Sequence, residues 1–82
     1  MSSLAVDLTD ANMLFRKCRA GSLLSSAVQI KAWFQVQTAS GIVVGGYGDY
    51  LMQDPSGKRY VLDKKTFDES FVWEELDGSL RK

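Results

Sequence analysis

The sequence predicts a small α+β domain, mainly β, with an antiparallel sheet of four to five strands or a small open barrel. Apolar and polar residues alternate from Ala27 to Gln37, which is typical of a half-buried strand. Two glycine-containing turns, at residues 38–41 and 54–57, each join a pair of strand-like runs. A capped segment at residues 63–70 then predicts one short helix.

The chain has the size of one domain. It has 82 residues, of which 45% are hydrophobic, and this is enough for one core of modest stability. We expect residues 1–82 to form a single domain, with an ordered core over about residues 10–75 and flexible ends. The predicted core consists of Val28, Ile30, Phe34, Val36, Ile42, Val44, Leu51, Tyr60, Leu62, Phe67 and Phe71.

The segment from Asp10 to Ala20 fits two structures. Thr9 or Asp10 could cap a helix, and Gly21 could end it after a basic last turn. A strand through residues 13–18 is the alternative. Capping and helix propensity favour the N-terminal helix.

Two hairpins are predicted after this segment. The alternating strand of residues 27–37 returns through Ile42–Val44, and its core-facing side carries Val28, Ile30, Ala32, Phe34 and Val36. The glycine-rich residues 45–48 then interrupt the chain. The second hairpin pairs residues 50–53 with residues 58–62 across a turn that has Asp first, Pro second and Gly fourth.

The predicted helix follows the second hairpin directly. Asp63 is a good N-cap, and the helix should run to about Ser70. Leu62 and Phe67 have the spacing of a hydrophobic staple, and Phe67 and Phe71 are four residues apart on one face. Residues 71–73 are expected to be extended and to close the sheet.

One part of the chain resembles a known family. The string Gly48-Asp49-Tyr50 resembles the motif of the PGDYG-type proteins, a small domain of bacteria and their phages, with Tyr47 in place of the family's proline. The resemblance covers about residues 27–73, and its further matches are Phe34-Gln35-Val36-Gln37-Thr38-Ala39-Ser40-Gly41, Asp54-Pro55-Ser56-Gly57, Tyr60, Phe67 and Phe71. It implies a bacterial or mobile-element origin, and it brings no activity, cofactor or catalytic residue.

The composition excludes several classes of function. The chain has no histidine, so it lacks the usual general base and the commonest metal ligand. Its single cysteine, Cys18, can form neither an internal disulfide nor a Cys-rich zinc site, and we expect it to be an inert thiol rather than a reactive one. The net charge of zero argues against a dedicated nucleic-acid-binding protein. We therefore expect no enzyme activity, no cofactor and no metal.

Because no membrane-spanning run and no signal peptide is recognised, we expect a cytoplasmic protein. No run of residues approaches the roughly 20 apolar residues needed to cross a bilayer. The first residues, Met1 to Asp7, lack the basic and apolar regions of a signal peptide. No membrane partner is expected.

Trp33 is the first candidate binding residue. It is the only large apolar side chain on the otherwise polar side of the strand of residues 27–37, and an exposed Trp is a good anchor for a partner. The alternative is that Trp33 packs under one of the chain ends, or that a bulge turns it inward.

The glycine-rich corner supplies the other candidates, which are Tyr47, Gly48, Asp49 and Tyr50. Glycine lets a ligand approach the backbone, and the carboxylate of Asp49 could accept hydrogen bonds from it. The alternative is a tight turn in which Asp49 bonds to nearby backbone amides. Tyr47 and Tyr50, with Tyr60 and Trp73, could also stack nucleic-acid bases.

We therefore interpret the chain as a non-enzymatic protein-interaction module whose partner is another protein or a second copy of itself in a homodimer. The alternative is a small-ligand or nucleic-acid binding domain that uses the corner at residues 45–50.

Overall fold

The computed structural model describes residues 5–74, and within them the chain is mainly β with one short helix. This confirms the predicted α+β class. The elements are β1 (Val6–Asp7), β2 (Arg16–Ala20), β3 (Leu23–Gln29), β4 (Phe34–Thr38), β5 (Gly41–Gly45), β6 (Tyr50–Gln53), β7 (Arg59–Leu62), α1 (Lys64–Ser70) and β8 (Val72–Trp73). The predicted flexible ends fall largely on residues 1–4 and 75–82, which lie outside the described part.

The strands form two sheets rather than the single sheet that was predicted. A five-stranded antiparallel sheet has the order β7-β6-β3-β2-β8. A three-stranded sheet has the order β1-β4-β5, in which β1 runs parallel to β4. The extra sheet arises because the long alternating segment is divided between the two.

The first core cluster lies between the two sheets. Its buried residues come from both sheets and from the N-terminal segment, and they are Leu8, Ile30, Phe34, Val36 and Leu51. A second cluster lies on the opposite face of the five-stranded sheet, under α1. Its buried residues are Cys18, Ala27, Tyr50, Met52 and Phe67. The five-stranded sheet is therefore covered on one face by a helix and on the other by the smaller sheet.

The predicted N-terminal helix is wrong, and the alternative strand is closer to the structure. Residues 16–20 form β2, which pairs with β3 on one side and with β8 on the other. Gly21 does not end a helix; it opens a two-residue hairpin turn at φ 63°, a conformation that suits glycine. Strand pairing on both sides of β2 outweighs the weak local helix propensity.

The predicted strand over residues 27–37 is broken in the middle. β3 ends at Gln29, and β4 begins at Phe34 in the other sheet. The backbone of Ile30 instead pairs with the glycine-rich corner, since its N–H donates to Asp49 and its carbonyl accepts from Gly48. Apolar and polar residues still alternate across the break, because β3 and β4 both turn the same side of the chain towards the core between the sheets.

Two predicted core residues, Ile42 and Val44, are exposed instead. The two-residue turn between β4 and β5 places Thr38 opposite Gly41, and this register places Val36 opposite Val43. Val36 is buried, so Val43 shares its inward face. Ile42 and Val44 must then point outward, and 60% and 57% of their surfaces are exposed.

The second hairpin and the helix are confirmed. Asp54 N–H donates to Lys58 across the turn, and the Asp54 carboxylate accepts from the N–H and hydroxyl of Ser56. The Asp63 side chain caps α1 by accepting from Thr66 N–H. Tyr50 stacks on Phe67 with 3.9 Å between ring centroids, and Phe67 stacks on Phe71. The expected extended segment after α1 is β8.

The segment before β2 closes the first core cluster. Val6–Asp7 forms β1 and Leu8 is buried, although both precede the predicted ordered core. Arg59 holds this segment in place, because its guanidinium donates to the carbonyls of Leu8 and Thr9 and lies over the Phe15 ring. The segment from Val6 to Thr9 is thus part of the packed structure.

Gly45 should tolerate no side chain. A Cβ at this position would overlap the ring of Phe34, which is fully buried, whereas a Cβ on Gly46 would lie 3.3 Å from the exposed Trp33 ring, which can move. We expect Gly45→Ala to lower the free energy of unfolding by about 1–3 kcal/mol. Gly46→Ala should change it by less than about 0.5 kcal/mol. Urea denaturation measures both, and equal losses would contradict this packing.

Acid should weaken the second turn. The hydrogen bond from the Ser56 hydroxyl, followed by that from Lys58 N–H, lowers the pKa of Asp54. A carboxylate with a lowered folded-state pKa stabilises the fold above its ordinary pKa, and this contribution is lost as the pH falls through the folded value. Stability should therefore decrease from about pH 5 to about pH 2, and less steeply in Asp54→Asn. Denaturation curves at several pH values measure both slopes; parallel slopes would contradict the assignment.

Candidate functional site

The candidate site is built from a stretch of chain without charge. From Ala32 to Gly48 there is no Asp, Glu, Lys or Arg, although 24% of the whole chain is charged. This stretch includes β4, β5 and most of the glycine-rich corner. The β4–β5 hairpin is therefore made entirely of apolar and uncharged polar groups, and the outward charge of the smaller sheet comes from Asp7 on β1, which lies beside Gln35.

Four exposed apolar side chains share this region, and we call them the uncharged face: Trp33, Ile42, Val44 and Tyr47. Trp33 is 65% exposed and Tyr47 is 69% exposed. Phe34 pairs with Gly45, so extending the register by one residue places Trp33 opposite Gly46 and diagonal to Val44. Diagonal neighbours on a sheet are within reach of an aromatic side chain, so Trp33, Val44 and Ile42 form a continuous strip. Tyr47 lies in the turn that follows Gly46, just beyond the end of this strip.

The bend between β3 and β4 directs Trp33 outward. Phe34 is fully buried in the core, and its predecessor on an extended chain must point to the other side. The Trp33 carbonyl accepts from Val6 N–H at 3.0 Å, which fixes its backbone. The indole ring lies against Gly46, where no side chain displaces it. In the structure Trp33 is therefore held in position but not buried, and no bulge turns it inward.

The other predicted residues of the corner, Gly48, Asp49 and Tyr50, are engaged in contacts within the fold. Gly48 and Tyr50 are buried, and Tyr50 stacks on Phe67 in the second cluster. The Asp49 carboxylate accepts from Gly46 N–H at 2.9 Å and from Lys64 N–H at 3.0 Å. Asp49 thus ties the corner to the first residue of α1. Of the five predicted site residues, only Trp33 and Tyr47 are exposed.

Sequence analysis missed two members of this face. Ile42 and Val44 belong to a run of three apolar residues, in which periodicity alone cannot choose the buried face. The length of the turn before them could have shown which of these residues are buried. A two-residue connection sets the register, and the register places Val43 rather than its neighbours opposite the buried Val36.

The other reactive groups of the described residues offer little chemistry. Cys18 is fully buried, and desolvation raises the pKa of its thiol, which opposes formation of the nucleophilic thiolate. Among residues 5–74, no three Cys, Asp or Glu side chains cluster as metal ligands would.

A groove of about 690 Å³ lies between the tips of the β4–β5 and β6–β7 hairpins. Its lining combines polar side chains such as Gln37 and Lys58 with apolar ones such as Val43 and Val61, and it includes none of the predicted site residues.

Comparison with known protein families, curated proteins and solved structures found no match to this chain. The resemblance to the PGDYG-type proteins therefore stays a prediction. The one helix of residues 5–74 has seven residues and is neither long nor apolar enough to cross a membrane.

Asp49 should matter for stability. Asp49→Ala leaves the amides of Gly46 and Lys64 without their acceptor, so we expect the free energy of unfolding to fall by about 1–3 kcal/mol. The control is Asp68→Ala, which removes only an exposed ion pair with Lys64 and should cost less than about 0.5 kcal/mol. Urea denaturation and amide exchange in α1 report the effect. An unchanged midpoint in Asp49→Ala would show that the carboxylate has no structural role.

Proposed function

We propose that this chain acts as a non-enzymatic protein-interaction module that binds through the uncharged face. The observation that carries the proposal is the combination of exposed apolar side chains and missing charge over residues 32–48. Large aromatic side chains at the centre of a surface without charge are typical of binding hot spots, because they bury much area and lose little conformational entropy.

The edge of the smaller sheet supports the same proposal. Within residues 5–74, β5 pairs only with β4, so one side of its backbone carries unpaired N–H and C=O groups. Monomeric proteins usually protect such an edge with a lysine, a proline or a bulge. β5 has none of these, and its outward side chains are Ile42 and Val44. An unprotected apolar edge is the kind of surface that another strand covers.

The alternative function, small-ligand or nucleic-acid binding at residues 45–50, has less support. Both carboxylate oxygens of Asp49 already accept backbone hydrogen bonds, and Tyr50 is buried in the second core cluster. Base stacking would need exposed aromatic rings beside basic groups. Tyr47 is exposed, but Tyr50 is buried, so the corner offers only one aromatic ring to a base.

The proposal predicts that Tyr47 touches a partner. A photoreactive benzophenone amino acid placed at residue 47 should form adducts with a protein, either another chain or a second copy, in native cell extract. The matched control carries the same group at Val72, which is 62% exposed on an edge strand of the other sheet. We expect several-fold more adduct from residue 47.

A second substitution separates specific binding from chance contact. Trp33→Lys in the photoreactive chain should remove the adducts while leaving the fold stable, because most of the Trp33 surface is exposed. Equal labelling from residues 47 and 72, or labelling that survives Trp33→Lys, would refute binding at the uncharged face.

A further inference from the structure

We propose that the partner is a second copy of this chain, joined at the β5 edge of the uncharged face by antiparallel pairing of the two β5 strands about a two-fold axis at Val43. Ile42 of one copy then lies opposite the partner's Val44, and the smaller sheets of the two copies form one continuous sheet. The inference rests on the proposed function and identifies its partner.

The backbone of β5 has the correct polar groups for this pairing. The residues that close a two-residue hairpin bond to each other, and bonded pairs alternate along an antiparallel ladder. Gly41, Val43 and Gly45 therefore direct their N–H and C=O groups to β4. Ile42 and Val44 direct theirs to the free edge, where each can exchange two hydrogen bonds with its opposite residue in the second copy.

The sequence of β5 is close to a palindrome. It reads Gly41-Ile42-Val43-Val44-Gly45, so a two-fold axis at Val43 places glycine opposite glycine and a β-branched residue opposite a β-branched residue. Such pairs are favourable across antiparallel strands. Side chains therefore match on both faces of the joined strands without any partner of a different sequence.

The absence of charge favours a symmetric partner. A two-fold axis places charges near the axis close to their own copies, and like charges so placed repel. No charged residue occurs between Ala32 and Gly48, so this cost does not arise. The same absence gives no electrostatic basis for choosing a charged partner over a second copy.

The other edge strands of the described residues are less suited to pairing. β1 and β8 have two residues each. β7 begins with Arg59 directly after Lys58, and charged residues of this kind protect an edge. β5 combines five residues with an uncharged outer surface, so pairing is expected at β5 and not elsewhere.

The size of the contact sets the expected affinity. Edge-to-edge pairing covers the free edge of β5 and the flanks of Ile42 and Val44, whereas Trp33 stays on the outward face of the joined sheet. Such a contact is smaller than a standard specific interface, so we expect a weak dimer with a dissociation constant of about 1–100 µM.

Sedimentation equilibrium of the full chain, from about 1 µM to about 500 µM, tests the proposal. We expect a monomer–dimer equilibrium in the wild type. Val44→Lys places a lysine on each side of the axis and should weaken the dimer at least about tenfold. Val72→Lys changes an equally exposed valine on β8 and should leave the dissociation constant within about twofold.

A proline variant tests the backbone bonds themselves. Val44→Pro removes an N–H that points away from β4, and proline is tolerated on an edge strand when its N–H side faces outward. The variant should keep the circular dichroism spectrum of the folded chain and lose the dimer. This second variant keeps the test valid if Val44→Lys perturbs the fold.

The outcomes separate the two proposals. A wild type that stays monomeric at the highest concentration overturns self-pairing. If residue 47 still labels a different protein in extract, the interaction module then stands with another partner. A dimer that survives both Val44 variants overturns pairing at β5, and a dimer that is lost in both and retained in Val72→Lys supports it.

Discussion

The backbone pairing of Ile30 with the glycine-rich corner is the constraint on which the two-sheet arrangement depends. Ile30 donates to the carbonyl of Asp49 and accepts from Gly48 N–H, so the chain leaves the larger sheet at this point. Asp49 in turn ties the corner to the first turn of α1 through Lys64 N–H. One short loop therefore joins the bend, the start of β6 and the start of the helix. This explains why a motif that resembles a ligand-binding corner has its polar groups engaged within the fold.

The bend also decides which side of the smaller sheet faces outward. It delivers Phe34 into the core between the sheets, where its ring packs directly on Gly45. The β4–β5 register then gives Val43 the inward face and leaves Ile42 and Val44 exposed beside Trp33. The uncharged face is thus a consequence of core packing on the opposite side of the same strands. A substitution at Phe34 or Gly45 would change the shape of the uncharged face although neither side chain belongs to it.

Unpaired backbone and missing charge together give this face its proposed role. Exposed apolar residues occur elsewhere in the described part of the chain, at Leu14, Leu23 and Val72 for example. Single exposed apolar residues are common on soluble proteins and need no partner. What distinguishes β5 is that its exposed side chains stand on an unprotected strand edge, and that neither β5 nor the neighbouring β4 contains a charged residue. Hydrogen bonds and apolar burial can then act at the same surface, which is how added strands are recognised.

The sequence by itself determined the class of the fold, the second hairpin and the capped helix, whereas it left open whether Trp33 is exposed. These features depend on neighbours along the chain, namely a turn of defined residue order and an N-cap. Only the tertiary structure decided the rest. Residues 16–20 are a strand because β3 and β8 pair with them, although their capping pattern favoured a helix. The strand over residues 27–37 divides because Ile30 pairs with a loop that is far away in sequence. Ile42 and Val44 are exposed because register, which depends on the partner strand, selects between faces that composition leaves equal.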